Sequence, residues 1–326
     1  MSKTILEAKN LTVQFKTDQG MITAVDNIDI HLEKGQVLGL LGESGSGKSV
    51  TLRSILRILP QHKTEISGQV TVGDKDVLSL RGKALANYRG GEVAMIFQEP
   101  ATAFDPVFTI GYQIAETVMR HMGVSRKDAN ARALEMLDLV KIPSAKSRLG
   151  NYPHEMSGGM RQRAMIALAL SCSPKLLLAD EPTTALDATV QIQIILLLRE
   201  LQQELGMATI FVTHDVGVAA EISDRVVVMY GGRIVERGDA SVVLRRPRHP
   251  YTNGLLSSTV HGVAPGSKID AIPGMPPDLA AMPPGCAFSP RCKHATADCM
   301  AAPPQLSLVT QSHEIACTIK PELKAI

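Results

Sequence analysis

Apolar residues alternate with polar ones at Leu11, Val13 and Phe15, and again at Ile28, Ile30 and Leu32. A period of two predicts two half-buried antiparallel strands. Val37 to Leu41 is instead an unbroken apolar run, and after a glycine-rich gap a helix-forming run extends from Val50 to Ile58. Gly68 to Val72 and Val93 to Phe97 read as short strands, the second delivering Gln98. Between Ile110 and Leu170 the spacing becomes helical, with Ile114, Val118 and Met119, then Ala131, Leu134, Leu137 and Leu139, which predicts a helical insertion hung on the sheet. Lys175 to Ala179 has the continuous apolar pattern of a strand buried on both faces, and it ends in Asp180-Glu181. A long helix is predicted from about Thr189 to Leu205 with its apolar face at Ile192, Ile195, Leu196 and Leu198. Met207 to Thr213 forms a further strand leading into His214-Asp215. Arg225 to Tyr230 and Arg233 to Glu236 flank Gly231-Gly232 as a hairpin.

The glycine-rich gap carries the chemistry. Gly42-Glu43-Ser44-Gly45-Ser46-Gly47-Lys48-Ser49 fits the phosphate-loop template and lies between a strand and a helix, where that template must lie. Glycines let the backbone turn tightly and aim N–H groups at phosphate oxygens, helped by the positive end of the helix dipole. Lys48 supplies a mobile charge for the outer phosphates, and the Ser49 hydroxyl is placed to hold Mg²⁺. The bland alternative is a connection that binds nothing. Met156 to Arg163 opens a helix with Ser157 as its cap and Gly158-Gly159 behind it, a second anion site. At the end of its buried strand, Asp180 is suited to the same Mg²⁺ and Glu181 to orienting or deprotonating a water; a charge pair at a helix start is the competing reading. His214 belongs to the same series of strand ends. Phe15 could stack on an adenine ring or fill a core.

Composition narrows the setting. A chain of 326 residues with 44% hydrophobic content holds one large domain or two ordinary ones. Net charge of +2 gives no basic field for nucleic acid, and no apolar stretch reaches the roughly 18 to 20 residues that span a membrane. No charged-then-apolar leader opens the chain, so a cytosolic location is expected. There is no internal repeat.

Composition shifts after residue 240. Pro265, Pro273, Pro276, Pro277, Pro283, Pro284, Pro290, Pro303 and Pro304 leave little room for long helices, and a loop-rich segment needs a staple. Cys286, Cys292, Cys299 and Cys317 fall in this stretch, and in a reducing compartment four thiolates suit tetrahedral zinc or an iron–sulfur cluster. His294 and His313 are possible competing ligands. Cys172 reads as a core residue.

In order and spacing, the phosphate loop, Gln98, the Ser-Gly-Gly segment, Asp180-Glu181, Ala185-Leu186-Asp187 and His214 resemble the ATP-binding subunit of an ABC transporter. The resemblance covers roughly residues 5 to 240. It implies a P-loop α/β nucleotide-binding domain over residues 1–240, with a mixed sheet core, an antiparallel β subdomain and a helical subdomain at about 99–170. Two such domains would face each other head to tail around ATP. By position, Phe15 would stack on adenine, and Gly42, Ser44, Gly45, Gly47 and Lys48 would hold phosphates. Ser49, Asp180 and Gln98 would serve Mg²⁺. Glu181 looks like the general base, His214 like a γ-phosphate contact, and Gln98 like the sensor joining metal and water to a transmembrane partner. Ser157, Gly158 and Gly159 would close the partner's site. Met156 and Met160 depart from the commoner signature residues, and Val50 from a frequent Thr or Ser. Neither departure removes a hydroxyl or carboxylate needed for hydrolysis.

Residues 96–100 with Asp105-Pro106, then Pro247-Arg248-His249-Pro250-Tyr251-Thr252, and the cysteine tail are similar to one branch, the peptide and oligopeptide importers with nickel, glutathione and oligosaccharide relatives. That resemblance implies a C-terminal extension over 241–326 carrying a 4Fe-4S cluster, with zinc the alternative. It implies as partners a second, related ATPase subunit forming a heterodimer, two transmembrane permeases and an extracytoplasmic binding protein. The chain would then sit peripherally on the cytoplasmic face of the inner membrane. A soluble ABC ATPase acting on nucleic acid or ribosomes is the rival, weakened by the neutral charge and the short insertion.

Overall fold

The computed structural model of the protein describes residues 3–18, 20–184, 186–258 and 271–319. Ala185 of the Ala-Leu-Asp segment and Pro265 of the tail lie outside the described residues. The described strands are β1 (Thr4–Thr17), β2 (Gly20–Glu33), β3 (Val37–Leu41), β4 (Thr64–Val72), β5 (Lys75–Asp76), β6 (Val93–Ile96), β7 (Leu176–Asp180), β8 (Ala208–Thr213), β9 (Arg225–Tyr230), β10 (Arg233–Asp239), β11 (Ser307–Thr310) and β12 (His313–Ile315). The chain divides into two compact units, one made of the N-terminal residues up to Ile5, Glu33–Gly35 and Ser79–Ile210, the other of Leu6–Leu32, Gln36–Leu78 and the chain from Phe211 onward.

In the first unit β6 and β7 pair in parallel, Val93 opposite Leu176 through Ile96 opposite Ala179. Every residue of both strands is buried, as their unbroken apolar runs require. The helical insertion is present as Ile110–Met122, Arg126–Leu139 and Gly158–Leu170. Its helix ends follow from local chemistry. Ser125 Oγ accepts from the Asp128 N–H, and Gly123 ends the preceding helix in the left-handed conformation. Cys172 is buried just beyond the third helix, with its thiol 3.8 Å from the Thr117 carbonyl, in keeping with a core role.

The long helix buries a different face from the one its spacing predicts. The helix Ala188–Leu205 buries Ile194, Ile195, Leu197, Leu198, Leu201 and Gln202, whereas Ile192 and Leu196 are more than half exposed. Nearly every residue from Ile192 to Leu198 is apolar, so two overlapping stripes satisfy a helical period. Gln202 fixes the choice between them. Its amide donates to the Gly35 carbonyl at 2.7 Å and to the Met207 carbonyl at 3.0 Å, which turns its own face inward.

The second unit holds a four-stranded antiparallel sheet in the order β2-β1-β4-β5. It also holds the consecutive neighbours β11-β12-β10-β9-β3, in which β3 and β9 are parallel and the other pairs antiparallel. β9 and β10 form the expected hairpin on Gly231 and Gly232, whose φ angles of 55° and 80° suit the tight two-residue turn. β11 and β12 were not foreseen from the pattern; β12 extends the hairpin, with Glu236 opposite Ile315 and Gly238 opposite His313. Helices after residue 240 are short, Pro250–Ser257 and Ala297–Ala301 among them. Leu41 of β3, Val228 and Tyr230 of β9, Tyr251, Leu255 and Phe288 share one buried cluster, so the proline-rich tail packs on the strand that feeds the phosphate loop.

Candidate nucleotide site

In the second unit, the fully buried β3 leads into the loop at residues 42–47, and the helix Lys48–Ile55 starts from Gly47. Two glycines are required by what surrounds them. Gly42 lies at φ 148°, where a Cβ would stand 2.4 Å from the Met229 carbonyl oxygen; Gly47 lies at φ 101°, where a Cβ would stand 2.6 Å from the Ala24 carbonyl oxygen. Neither position has room for a side chain, so glycine is what lets the backbone take the tight turn that a phosphate loop needs. Lys48 is buried along its stem, and its Nζ donates to the carbonyls of Gly42 and Glu43 at 2.7 and 2.8 Å and to Ser46 Oγ at 3.4 Å. Ser44 and Gly45 are exposed at the loop tip and Ser49 is half-buried at the helix start. Phe15 is half-buried near the end of β1, opposite Thr64 in β4. His214 is exposed directly after β8, ahead of Asp215, which caps the next helix by accepting from the Val218 N–H.

The loop is gripped from one further direction. Glu43 donates its backbone N–H to Tyr251 Oη at 2.7 Å. Its carboxylate receives both ends of the Arg291 guanidinium, Nη1 to Oε2 at 2.7 Å and Nη2 to Oε1 at 3.1 Å. Neither partner lies in a motif that ties it to the phosphate loop. Tyr251 was visible only as part of a Pro-Arg-His-Pro-Tyr-Thr segment, and Arg291 only as the neighbour of Cys292.

In the first unit, Asp180 closes β7 and is 1% exposed. Glu181 follows with φ of 47°, a left-handed conformation that a residue with a Cβ adopts at a cost of about 1–3 kcal/mol. Its Oε2 accepts from Gln98 Nε2 at 3.3 Å and from Thr184 Oγ1 at 3.0 Å. Two residues singled out separately, 83 positions apart, are thus in contact. Ser157 caps the helix Gly158–Leu170 by accepting from the Met160 N–H at 3.3 Å, with its own side chain exposed. A Cβ on Gly159 would come within 2.9 Å of Val190 Cγ1, so this glycine lets the signature helix lie against the helix that Asp187 caps. Gln162 is buried and donates to the Pro182 carbonyl, tying the same helix to the segment after Glu181.

The tail cysteines are gathered. Cys286, Cys292, Cys299 and Cys317 line one small cavity together with His249 and Phe288. Burial pushes the Cys286 and Cys292 thiols up, and neighbouring cysteines add to the effect. Among the described residues, no three His, Cys, Asp or Glu side chains converge on a single metal position. The donor set matches thiolate ligation in kind, while its spacing does not match a single bound ion. His313 is committed elsewhere, its Nε2 lying 2.6 Å from Glu236 Oε1.

A strand, a glycine loop with its buried lysine and a helix that starts from Gly47 define a P-loop nucleotide-binding protein. The sequence pattern of the ABC transporter family matches residues 25–184, and that of the oligopeptide/dipeptide transporter C-terminal region matches residues 235–299. A peptide import ATP-binding protein of Brucella melitensis biotype 1 is 50% identical over 333 residues, covering 98% of each chain. A peptide ABC transporter ATP-binding protein of Sinorhizobium fredii is 46% identical and covers 96% of this chain and 94% of its own. Among solved structures, a dimeric ATP-binding cassette in a post-hydrolysis state bound to ADP and Pi superposes with a TM-score of 0.64 at 28% identity, covering 72% of this chain and 99% of that one. The cassette cbiO1 of Clostridium perfringens, part of an ABC transporter complex, gives 0.63 at 26% identity, covering 74% and 91%. The chain belongs to the ABC transporter ATP-binding family, in the branch that carries the oligopeptide/dipeptide C-terminal region. It is an ATP-hydrolysing subunit with the P-loop cassette fold. Among the described residues, no helix is long and apolar enough to cross a membrane.

Proposed function

We propose that this chain energises the import of di- or oligopeptides, bound peripherally to permease subunits at the cytoplasmic face of the membrane and paired with a second, related ATPase chain. The names of the relatives support peptides as the class of cargo, and the C-terminal region supports the branch. Residues 1–240 act as the nucleotide-binding domain and 241–326 as its extension.

Bound ATP with Mg²⁺ supplies the anhydride and the metal that offsets its charge. The rest falls to side chains of this protein. Gly42, Ser44, Gly45 and Gly47 offer backbone N–H groups to the phosphates, and Lys48 exchanges its loop carbonyls for phosphate oxygens. Ser49 and Asp180 bind Mg²⁺, and Phe15 packs against the base. Glu181 takes the proton of the attacking water, and Gln98 fixes the carboxylate through the Nε2 bond to Oε2. His214 contacts the terminal phosphate. Ser157, Gly158 and Gly159 present a capped helix start to the nucleotide of the partner ATPase. Cys286, Cys292, Cys299 and Cys317 hold a 4Fe-4S cluster, with zinc as the competing occupant, and their common cavity supports that reading.

The observation that carries the proposal is Glu181, held in a strained conformation at a strand end by Gln98 and Thr184. The test is Glu181→Gln in the assembled transporter. Loss of both phosphate release and uptake of labelled di- and oligopeptides is expected. Loss of hydrolysis with uptake intact overturns the assignment.

A further inference from the structure

Glu43 is the residue of the phosphate loop on which three separate constraints meet. Its carbonyl accepts from Lys48 Nζ at 2.8 Å, its N–H donates to Tyr251 Oη at 2.7 Å, and its carboxylate is forked by Arg291 at 2.7 and 3.1 Å. The backbone N–H, the carbonyl and the carboxylate of Glu43 are all engaged. Two of these constraints come from residues 208 and 248 positions away, so the loop's own sequence does not supply them.

Arg291 is itself firmly placed. The guanidinium is almost wholly buried, and beyond Glu43 it donates from Nη1 to Tyr230 Oη at 3.1 Å and from Nε to the Pro273 carbonyl at 2.8 Å. It also lies over the Tyr230 and Phe288 rings, 5.8 and 5.9 Å from their centroids. Tyr230 packs on Tyr251 with ring centroids 4.5 Å apart and edge-on to Phe288 at 5.2 Å. A planar, forked cation bound bidentately and walled by aromatic rings loses little further freedom, and lysine cannot reproduce it. The hydrogen bond to Glu43 is the first cause that holds the Arg291 guanidinium charged, and burial holds the Tyr251 phenol protonated.

We infer that Tyr251 and Arg291 are positioning residues for the phosphate loop: by clasping Glu43 they hold residues 42–47 in the phosphate-accepting form before nucleotide arrives. Neither belongs to the loop itself. Their effect is on the fraction of molecules whose loop is already in binding form, and apparent nucleotide affinity scales with that fraction. This gives the Pro-Tyr segment and the arginine before Cys292 a task within ATP binding. It rests on the ATPase assignment and concerns only how the loop is held.

The test is equilibrium titration of the full-length chain with fluorescent mant-ATP and Mg²⁺, together with thermal melting of the nucleotide-free protein. If the competent fraction falls to about a tenth, Arg291→Met raises Kd about tenfold, and Arg291→Lys restores only part of the loss. Tyr251→Phe, which deletes a single oxygen, raises Kd about threefold, and combining it with Arg291→Met gives less than the product of the two effects because both act through Glu43. Arg237→Met serves as the structural control, since it loosens β12 by removing the forked pair with Glu314 and touches neither Glu43 nor Glu236. It should lower the melting temperature while leaving Kd within about twofold. The inference is overturned if Arg291→Met and Tyr251→Phe both bind nucleotide like the native chain, or if Arg237→Met raises Kd as much as Arg291→Met. Failure of the native chain to bind mant-ATP would instead contradict the ATPase assignment itself.

Discussion

Glu236 and His313 face each other across β10 and β12, Oε1 to Nε2 at 2.6 Å, with essentially no exposure of either side chain. The same carboxylate accepts from the Arg248 N–H at 2.6 Å and the His249 N–H at 3.0 Å. One buried acid therefore ties together a hairpin strand, the start of the Pro-Tyr helix and the late strand β12. Glu236→Gln places an amide, with one acceptor and two donors, where three donors converge. Loss of about 3 kcal/mol of stability is expected, read as a lower urea midpoint for the full chain.

His249 supplies a pH response. Burial lowers its pKa from 6.5 to about 4, although Glu236 and a backbone hydrogen bond with Ala316 pull the other way. Its Nδ1 accepts from the Tyr251 N–H at 3.1 Å, a bond that needs this nitrogen unprotonated. Because the unfolded chain takes up a proton near pH 6.5 and the folded chain only near 4, stability is full above 6.5 and falls as pH drops toward 4. The loss over that window is on the order of 3 kcal/mol. Melting temperature measured from pH 7.5 to 4 should fall less steeply in His249→Gln than in the native protein.

Glu181 and Gln98 differ in the size of their expected effects. Glu181→Gln should lower kcat about a thousandfold with little change in nucleotide Kd, the loss of a general base. Gln98→Ala removes only one donor to Oε2, and Thr184 remains, so a fall of about tenfold in kcat is expected. Phosphate release by the assembled transporter checks both.

The cysteine cavity makes a compositional prediction. Anaerobically purified protein should be brown and carry iron and sulfide, and Cys292→Ser should bleach it. Colourless protein with stoichiometric zinc would replace the cluster with the alternative occupant.

What the sequence made legible was local. The phosphate loop, the buried strand before Asp180 and the two-glycine hairpin each have a signature confined to a few neighbouring residues, and each is found where expected. The buried face of Ala188–Leu205 was misjudged because an almost uniformly apolar stretch carries no phase, and a buried glutamine sets the rotation. β11 and β12 have four and three residues, too short for alternation to stand out among prolines. The clasp on Glu43 was invisible for another reason. Nothing in Gly42–Ser49 says that a tyrosine and an arginine more than 200 residues later will bind its second residue.

That separation bears on how the polypeptide is made. A ribosome delivers β3 and its loop first, and Tyr230, Tyr251 and Arg291 emerge well after them. Until then a growing chain displays the glycine loop without the side chains that brace it. A product that keeps the loop but ends before Arg291 lacks the forked half of the clasp on Glu43.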